Sequence, residues 1–437
     1  RFGKTLLVDT LENILRGRRE LFKGLWIDGS DYDWTPNPVI RLNLNGIDAR
    51  NVDRVESGLI LLLKLIAESE GLSLAGDNPS EAFNSLFHEL FGKYGRKVAV
   101  LIDEYDTPIV AHLDKPELAD DIRSTLRFFY NALKANEHLR GFTFLTGVSK
   151  FAHTSIFSAL NNLIDLTFMD KYAAICGFTH HEFDSLFTDH MENFLIIIKK
   201  SDGAMPPEST VSDLRQIILD YYDGYSWDGK TRVLNPWSIL NIFRKKCIDD
   251  YWAQTGGFSD FLLDLLKDGI ADFTSFQAEG VSPGDLNVMD PSERLEPISV
   301  LFQSGYLTVD RVDEPSGLAP YYLKIPNLEV AADIIRHLLS IGIRRPLEAK
   351  RHAEAMLRAI TDKDAKGFQE SFDGFHGCIA FGPEVDRGAR YRALFRAAML
   401  LAGREIPWEV TGGDGRYEAS FQGTDGSWNA FGINVAH

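Results

Sequence analysis

The hydrophobic positions of residues 97–108, KVAVLIDEYDTP, predict the central strand of the protein. Five consecutive apolar residues precede two acids, Asp103 and Glu104, and the run has no polar face. Such a run is typical of a strand that is buried on both faces in the middle of a parallel sheet. Because open α/β sheets bind ligands at the carboxyl ends of their strands, these two acids are candidate site residues. A strand that simply ends in an acidic turn is the alternative.

Alternating strands and helices are predicted on both sides of this segment. Residues 38–44 and 142–146 have the apolar pattern of short strands, and residues 59–68 and 116–138 have the periodicity of helices. A further helix is expected to begin near Asn78-Pro79-Ser80, with Ser80 as its N-cap. This alternation predicts a wound α/β sheet.

Gly3-Lys4-Thr5 stands at the start of a further amphipathic helix, as in the second half of a phosphate-binding loop. In such a loop Lys4 reaches the β- and γ-phosphate oxygens, and the Thr5 hydroxyl joins Mg²⁺. The first glycine of the motif and the strand before it do not occur in the sequence, a pattern expected of a fragment. The short motif is weak evidence alone, and it gains weight from the two acids about a hundred residues later.

The chemistry expected at these positions is nucleotide hydrolysis. Asp103 is predicted to hold Mg²⁺, directly or through water, and Glu104 to polarise the water that attacks the γ-phosphate. Thr146, at the tip of the strand after the acidic one, is a candidate to touch the γ-phosphate or that water, with Ser149 and Lys150 behind it. An ordinary strand-to-loop turn is the alternative for this last group.

Composition narrows the class of protein. A chain of 437 residues with 44% hydrophobic content is long enough for two or three domains with real cores. The net charge of −17 argues against a surface coated for nucleic acid, although a local basic groove remains compatible with it. Three widely spaced cysteines predict buried thiols in a reducing compartment. No apolar run is long enough to span a bilayer, and an ATP-dependent protein is expected in the cytoplasm.

Several longer motifs occur in a characteristic order: RFGKTL, LIDEYDTPI, FLTGVSKF, SIFSALNNL and YAAICGFT, followed by YYDGYSWDGKTRVLNPWSILNIF and IPNLEV. In this order and spacing the chain resembles the AAA-ATPase-like family, in which the ATPase domain often precedes a PD-(D/E)XK nuclease-like domain. The resemblance covers essentially the whole chain. It implies a P-loop NTPase core of the additional-strand type with ATP and Mg²⁺ as cofactors. By matching positions, Lys4 and Thr5 take the phosphate-loop roles, and Asp103 and Glu104 the Mg²⁺ and water roles.

Three domains are predicted: an α/β ATPase core at 1–200, a helical and winged-helix-like region at 201–345, and an α+β restriction-nuclease-like domain at 346–437. The middle region contains an aromatic set that either packs against the nucleotide or forms a core between small helices: Tyr221, Tyr222, Tyr225, Trp227 and Trp237. Residues 301–325 are expected to form a β-hairpin, and residues 405–411, 415–422 and 428–435 three further strands.

Departures from the family pattern predict that the last domain no longer cuts nucleic acid. In the family the sheet carries a Glu, then Gly-Arg-x-Asp, then Glu-x-Lys. Here Glu409, Gly415 and Arg416 match, but Glu418 replaces the Asp, and Gly432 and Asn434 replace the Glu and Lys. Because Gly has no side-chain ligand and Asn is neutral, we expect a binding or scaffolding domain. A slip of the alignment or a missing true motif is the alternative.

Mg²⁺-dependent ATP binding and hydrolysis that drives a conformational switch is therefore the primary functional hypothesis. A nucleic-acid-processing module of a mobile or defence element, with ATP licensing the nuclease domain, is the second. A nucleotide-binding scaffold without turnover is the third. A DNA or protein partner, the arginine finger and the oligomeric state are left open by the sequence.

Overall fold

The protein is described here by a computed structural model. The described residues are 2–147, 163–200, 207–252, 280–287, 297–313, 320–334 and 345–378, with short pieces at 395, 398–399, 401–402, 408–409, 416–422 and 428–434. The chain divides into two compact units. Unit 1 comprises Arg1–Gly177 and Ser282–Gly305, and unit 2 comprises Phe178–Val281 and Tyr306–His437. The division into three domains stays a prediction.

Unit 1 contains a three-stranded parallel sheet in the order β1-β2-β3. Its strands are β1 (Val39–Asn43), β2 (Val98–Asp103) and β3 (Arg140–Leu145). All six residues of β2 are buried, as the unbroken apolar run predicts for a central strand. The parallel sheet with flanking helices fits the expected P-loop-like α/β core.

The helices of unit 1 are α1 (Lys4–Leu15), α2 (Val52–Ser69), α3 (Pro79–Tyr94), α4 (Thr107–Val110) and α5 (Pro116–Ala135). The expected N-cap at Ser80 is wrong. The Asn78 side chain accepts a hydrogen bond from the backbone N–H of Glu81 at 3.0 Å, because Pro79 takes the first helical position that its fixed φ favours. Similarly, the side chain of Asn51 caps α2 well before the predicted start at residue 59.

Apolar side chains of the helices and of the sheet form the core of unit 1. Val8 of α1 packs with Val39, Ala99 and Leu101, so α1 covers β1 and β2. Phe83 of α3 stacks on Phe129 of α5 with their ring centroids 4.8 Å apart. Burial of such side chains contributes about 1.5–3 kcal/mol each, which is what fixes α1 against the sheet.

Unit 2 begins with β4 (Phe178–Thr179), α6 (His180–Lys200), α7 (Val211–Tyr222), β5 (Val233–Leu234) and α8 (Pro236–Lys245). From the aromatic set, Tyr222 is fully buried among apolar side chains of these helices, and Tyr225 is also buried. Trp237 is partly exposed. This burial favours the interpretation of the set as a core.

A buried carboxylate also belongs to this unit. Glu329 accepts hydrogen bonds from the Ser238 hydroxyl at 2.8 and 3.0 Å and from the backbone N–H of Trp252 at 2.7 Å. Burial raises the pKa of Glu329 to about 7, although these hydrogen bonds lower it. Glu329 is therefore a group that titrates near neutral pH.

Shorter helices and sheets complete the described chain. Two helices of unit 1 are α9 (Pro283–Asn287) and α10 (Pro297–Ser304). In unit 2, β6 (Thr308–Val312) and β7 (Tyr321–Lys324) form the expected antiparallel hairpin, although residues 314–317 of its turn lie outside the described residues. The helices α11 (Pro346–Thr361) and α12 (Ala365–Gly377) share an apolar core.

The last described strands are β8 (Trp408–Glu409), β9 (Arg416–Gln422) and β10 (Trp428–Asn434). They form an antiparallel sheet in which Glu418 is in register with Glu409 on one side and with Gly432 on the other. Residues 389–401, whose periodicity also predicts an amphipathic helix, lie mostly outside the described residues. Among the described helices, none is long and apolar enough to cross a membrane.

Candidate functional site

The carboxyl ends of the three parallel strands meet at one edge of the sheet in unit 1. Asp103, the last residue of β2, is in register with Asn43 at the end of β1. On the other side, Ile102 is in register with Leu145 at the end of β3. The structure therefore places the predicted acids at the edge where α/β sheets bind their ligands.

Asp103 is a buried carboxylate for which the described residues offer no partner. Its exposed fraction is 0%, and among those residues neither carboxylate oxygen has a hydrogen-bond partner. A buried unpaired charge is costly, by several kcal/mol, and a bound cation would remove that cost. Among the described residues no three His, Cys, Asp or Glu side chains cluster as metal ligands. Mg²⁺ needs no such cluster, because it keeps several waters and takes only one or two protein carboxylates.

Glu104 adopts an unusual backbone conformation next to Asp103. Its φ is 55°, in the left-handed region, where a residue with a side chain is strained by about 1–2 kcal/mol. The other described residues of this kind that are not glycine, Lys246 and Lys363, lie at helix ends, where the left-handed conformation is common. Strain of this kind is concentrated at functional sites.

The electrostatic environment makes Glu104 more basic than an ordinary glutamate. Burial is the main cause that raises the pKa of its carboxyl, and the charges of Asp106 and Asp103 raise it further. The positive charge of Lys4 and a hydrogen bond from the Thr107 hydroxyl at 3.4 Å act in the opposite direction. The charge of Lys4 thus acts on Glu104 although 100 residues separate them in sequence.

Gly3, Lys4 and Thr5 form the beginning of α1. Gly3 is the N-cap with a φ of 97°, a conformation that glycine adopts without strain, and its carbonyl accepts a hydrogen bond from Leu7 at 2.8 Å. The Lys4 ammonium donates to the carbonyl oxygen of Gly147, directly after β3. Thr5 is exposed on the first turn, and no hydrogen bond joins it to Asp103.

Two backbone hydrogen bonds join Thr146 to the residues that directly precede and follow the acidic pair. Its N–H donates to the carbonyl of Ile102 at 2.9 Å, and its carbonyl accepts from the N–H of Tyr105 at 3.1 Å. These bonds extend the pairing of β2 and β3 past Asp103 and Glu104. Ser149 and Lys150, the other residues predicted here, lie outside the described residues.

Sequence reasoning missed three residues at this edge. Asp106 is fully buried and contributes to the raised pKa of Glu104, and its place in the run DEYD was a usable signal. Gly147 lies so close to the acidic turn that an added Cβ would be 2.4 Å from Asp106 Oδ1. Cys176 is half-buried near Lys4, whose charge lowers the pKa of the thiol against the larger effect of burial. A lone cysteine carried no signal for that position.

Comparisons with known proteins agree with this architecture. The family described as "Predicted AAA-ATPase" matches residues 1–157, the part of the chain that holds β1, β2, β3 and α1. The chain is also 30% identical over 425 residues to the "Uncharacterized protein in vnfD 5'region" of Azotobacter chroococcum mcd 1, which covers 96% of this chain and 78% of that relative. No solved structure matches the chain significantly.

The family match covers the three parallel strands, the helix that follows Gly3-Lys4-Thr5 and the acids at the end of β2. It supports a P-loop NTPase core and nucleotide binding, as the sequence predicts. The similarity to the Azotobacter protein extends over both units. The chain thus belongs to the family described as "Predicted AAA-ATPase".

Proposed function

We propose that the protein binds ATP together with Mg²⁺ at the carboxyl edge of the β1-β2-β3 sheet and hydrolyses it, and that hydrolysis drives a conformational switch. The observation that carries the proposal is the unpaired, fully buried carboxylate of Asp103 at the end of the central strand. A cation site is the simplest reason for a fold to keep such a group. Glu104 follows it in the chain, and the charges of Asp103 and Lys4 both act on the pKa of the Glu104 carboxyl.

The first turn of α1 and Lys4 would bind the phosphates. The free backbone N–H groups at a helix N-terminus favour anions, and the ammonium of Lys4 adds a full positive charge. Lys4 already lies at this edge, since it donates to the carbonyl of Gly147. Binding of a triphosphate would exchange that neutral acceptor for charged phosphate oxygens, which form stronger hydrogen bonds.

Asp103 and Thr5 would hold Mg²⁺, whose charge neutralises phosphate oxygens during hydrolysis. Glu104 would then act as the base that accepts a proton from the attacking water. Glu104 has a raised pKa, so its carboxylate accepts a proton from water more readily than an ordinary glutamate does. Thr146 is proposed to contact the γ-phosphate or the attacking water. Its backbone is hydrogen-bonded to Ile102 and Tyr105, which lie directly before and after the acidic pair.

The experiment is a comparison of phosphate release and ATP binding in full-length protein. Glu104→Gln keeps the side-chain shape and removes the base, so hydrolysis should fall by about 10²- to 10⁴-fold while ATP still binds. Lys4→Ala should weaken binding of ATP itself. Glu89→Gln, which changes an exposed glutamate on α3, is the matched control and should leave both properties unchanged.

Hydrolysis by Glu104→Gln at the parental rate would show that Glu104 is not the base. Tight ATP binding by the parent protein without phosphate release would instead support a scaffold that does not turn over. Stimulation of phosphate release by DNA would identify a nucleic-acid-dependent switch.

A further inference from the structure

Cys176 and Gly177 of unit 1 lie next to the residues proposed to bind phosphate, and the proposed hydrolysis gives them no role. The backbone N–H of Gly177 donates to the carbonyl of Phe2 at 3.2 Å, and Phe2 directly precedes Gly3-Lys4. The preceding residue, Cys176, is near enough to Lys4 for the lysine charge to act on the pKa of its thiol. Two separate observations therefore place this segment beside the start of α1.

The backbone of this segment is held in place by turns. The N–H of Ala173 donates to Asp170 at 3.2 Å, and the N–H of Ile175 donates to Tyr172 at 3.0 Å. Ala173 is itself buried. Its neighbours on the chain are thus presented from a fixed backbone, as a binding surface requires.

Both chain segments that meet here carry an exposed aliphatic side chain. Ile175, one residue from Cys176, is 46% exposed, and Leu6, one residue from Thr5, is 68% exposed. A single exposed aliphatic residue is ordinary. Here the two belong to the segments that the Gly177–Phe2 hydrogen bond brings together, next to the residues proposed to bind phosphate, and a nucleotide carries an apolar ring at the opposite end from its γ-phosphate.

We infer that Ile175 and Leu6 form the surface on which the base of the bound nucleotide lies. This inference rests on the proposed ATP site and names its base subsite. Aliphatic side chains contact a ring face through apolar area and offer no hydrogen bond to the ring edge. The surface therefore adds affinity for a purine nucleotide without distinguishing adenine from guanine.

The test compares ligands that share the phosphates and differ in the base. Dissociation constants of MgATP and of magnesium tripolyphosphate are measured by calorimetry on the full-length protein and on Ile175→Ser. ATP should bind about tenfold more weakly to the variant, equal to about 1.4 kcal/mol, because apolar area is no longer covered on binding. The affinity for GTP should fall by the same factor, and tripolyphosphate should bind equally tightly to both proteins.

Ile164→Ser is the matched control. Ile164 lies in the same unit, is 74% exposed and is 11 residues before Ile175, so its replacement should leave both affinities unchanged. Both substitutions are at exposed positions, where effects on stability are small. A changed ATP affinity in Ile175→Ser is then a binding effect.

Thiol labelling reports the position of the base directly. MgATP should slow the reaction of Cys176 with maleimide several-fold, and tripolyphosphate, which lacks ribose and base, should not. Cys247 is exposed in unit 2 and serves as the internal reference. Both reaction rates are read from the same sample by peptide mass spectrometry.

The outcomes separate this inference from the proposed function. Unchanged ATP affinity in Ile175→Ser, or an equal loss for ATP and tripolyphosphate, would overturn the base subsite and leave the ATP site in place. Failure of the parent protein to bind either ligand would overturn both.

Discussion

Replacement of Gly147 by alanine is a sensitive probe of the turn that holds the acidic pair. The added Cβ would lie 2.4 Å from Asp106 Oδ1 and 2.7 Å from Cε1 of Tyr105, so one of these groups must move. Both residues are buried, and the N–H of Tyr105 is bonded to the carbonyl of Thr146. The backbone of Gly147 is not in the left-handed region, so the clash alone decides the outcome.

The expected cost follows from the packing around the new methyl group. Overpacking of a well-filled core costs about 1–3 kcal/mol, and we expect about 2 kcal/mol here because neither neighbour is a flexible chain end. For a unit of this size the melting temperature should fall by about 4–8 °C.

The assay is thermal and urea unfolding of Gly147→Ala beside Gly92→Ala. An added Cβ at Gly92 meets nothing within 4 Å, and this residue lies on the exposed last turn of α3. There the same chemical change should stabilise the protein by about 0.5 kcal/mol, because alanine is the better helix former. Parental stability of Gly147→Ala would refute the close packing of Gly147 against the acidic turn.

Three further predictions concern pH and the last domain. The pKa of Glu104 is raised, so hydrolysis should be lost as pH falls through a value above the ordinary 4.5, and a kcat profile with its acid midpoint at or below 4.5 would contradict this. The pKa of Glu329 is raised to about 7, so the folded state favours the protonated form. Its stabilisation is complete below pH 4.5 and lost as pH rises to about 7, by about 3 kcal/mol, and unfolding of Glu329→Gln should lack this loss. The purified protein should not cut supercoiled, linear or single-stranded DNA with Mg²⁺ or Mn²⁺. Metal-dependent cleavage abolished by Glu409→Ala or Glu418→Ala would show an active nuclease.

The local features of the fold were predictable because they depend on neighbouring residues. The unbroken apolar run located β2 and the acids at its end. Asn followed by Pro is the pattern of a helix start, and α8 begins at Pro236 with the Asn235 side chain as its cap. Thr179 and Glu182, three residues apart, likewise exchange the hydrogen bonds that a capping-box sequence favours. The cap of α3 was misassigned because Asn78 and Ser80 are both good caps, and only the position of the proline separates them.

Contacts between distant parts of the chain were not predictable from these patterns. Lys4 meets Gly147 across 143 positions, and Gly177 meets Phe2 across a longer separation. No periodicity or turn signal encodes such pairs, because they depend on how the helices pack on the sheet. The left-handed backbone of Glu104 was not predictable either, because glycine and asparagine are the residues that commonly indicate this conformation in a sequence.

Binding of Mg²⁺ at Asp103 is tested by calorimetric titration of the full-length protein and of Asp103→Asn with ATP, in the presence of Mg²⁺ or of EDTA. We expect Mg²⁺-dependent ATP binding by the parent protein and by Asp121→Asn, which changes an exposed aspartate on α5. We expect Asp103→Asn to lose the dependence on Mg²⁺, because the neutral amide no longer offers the charge that holds the ion. Equal ATP affinity of the parent protein and Asp103→Asn, with the same response to EDTA, would show that Asp103 does not hold the ion.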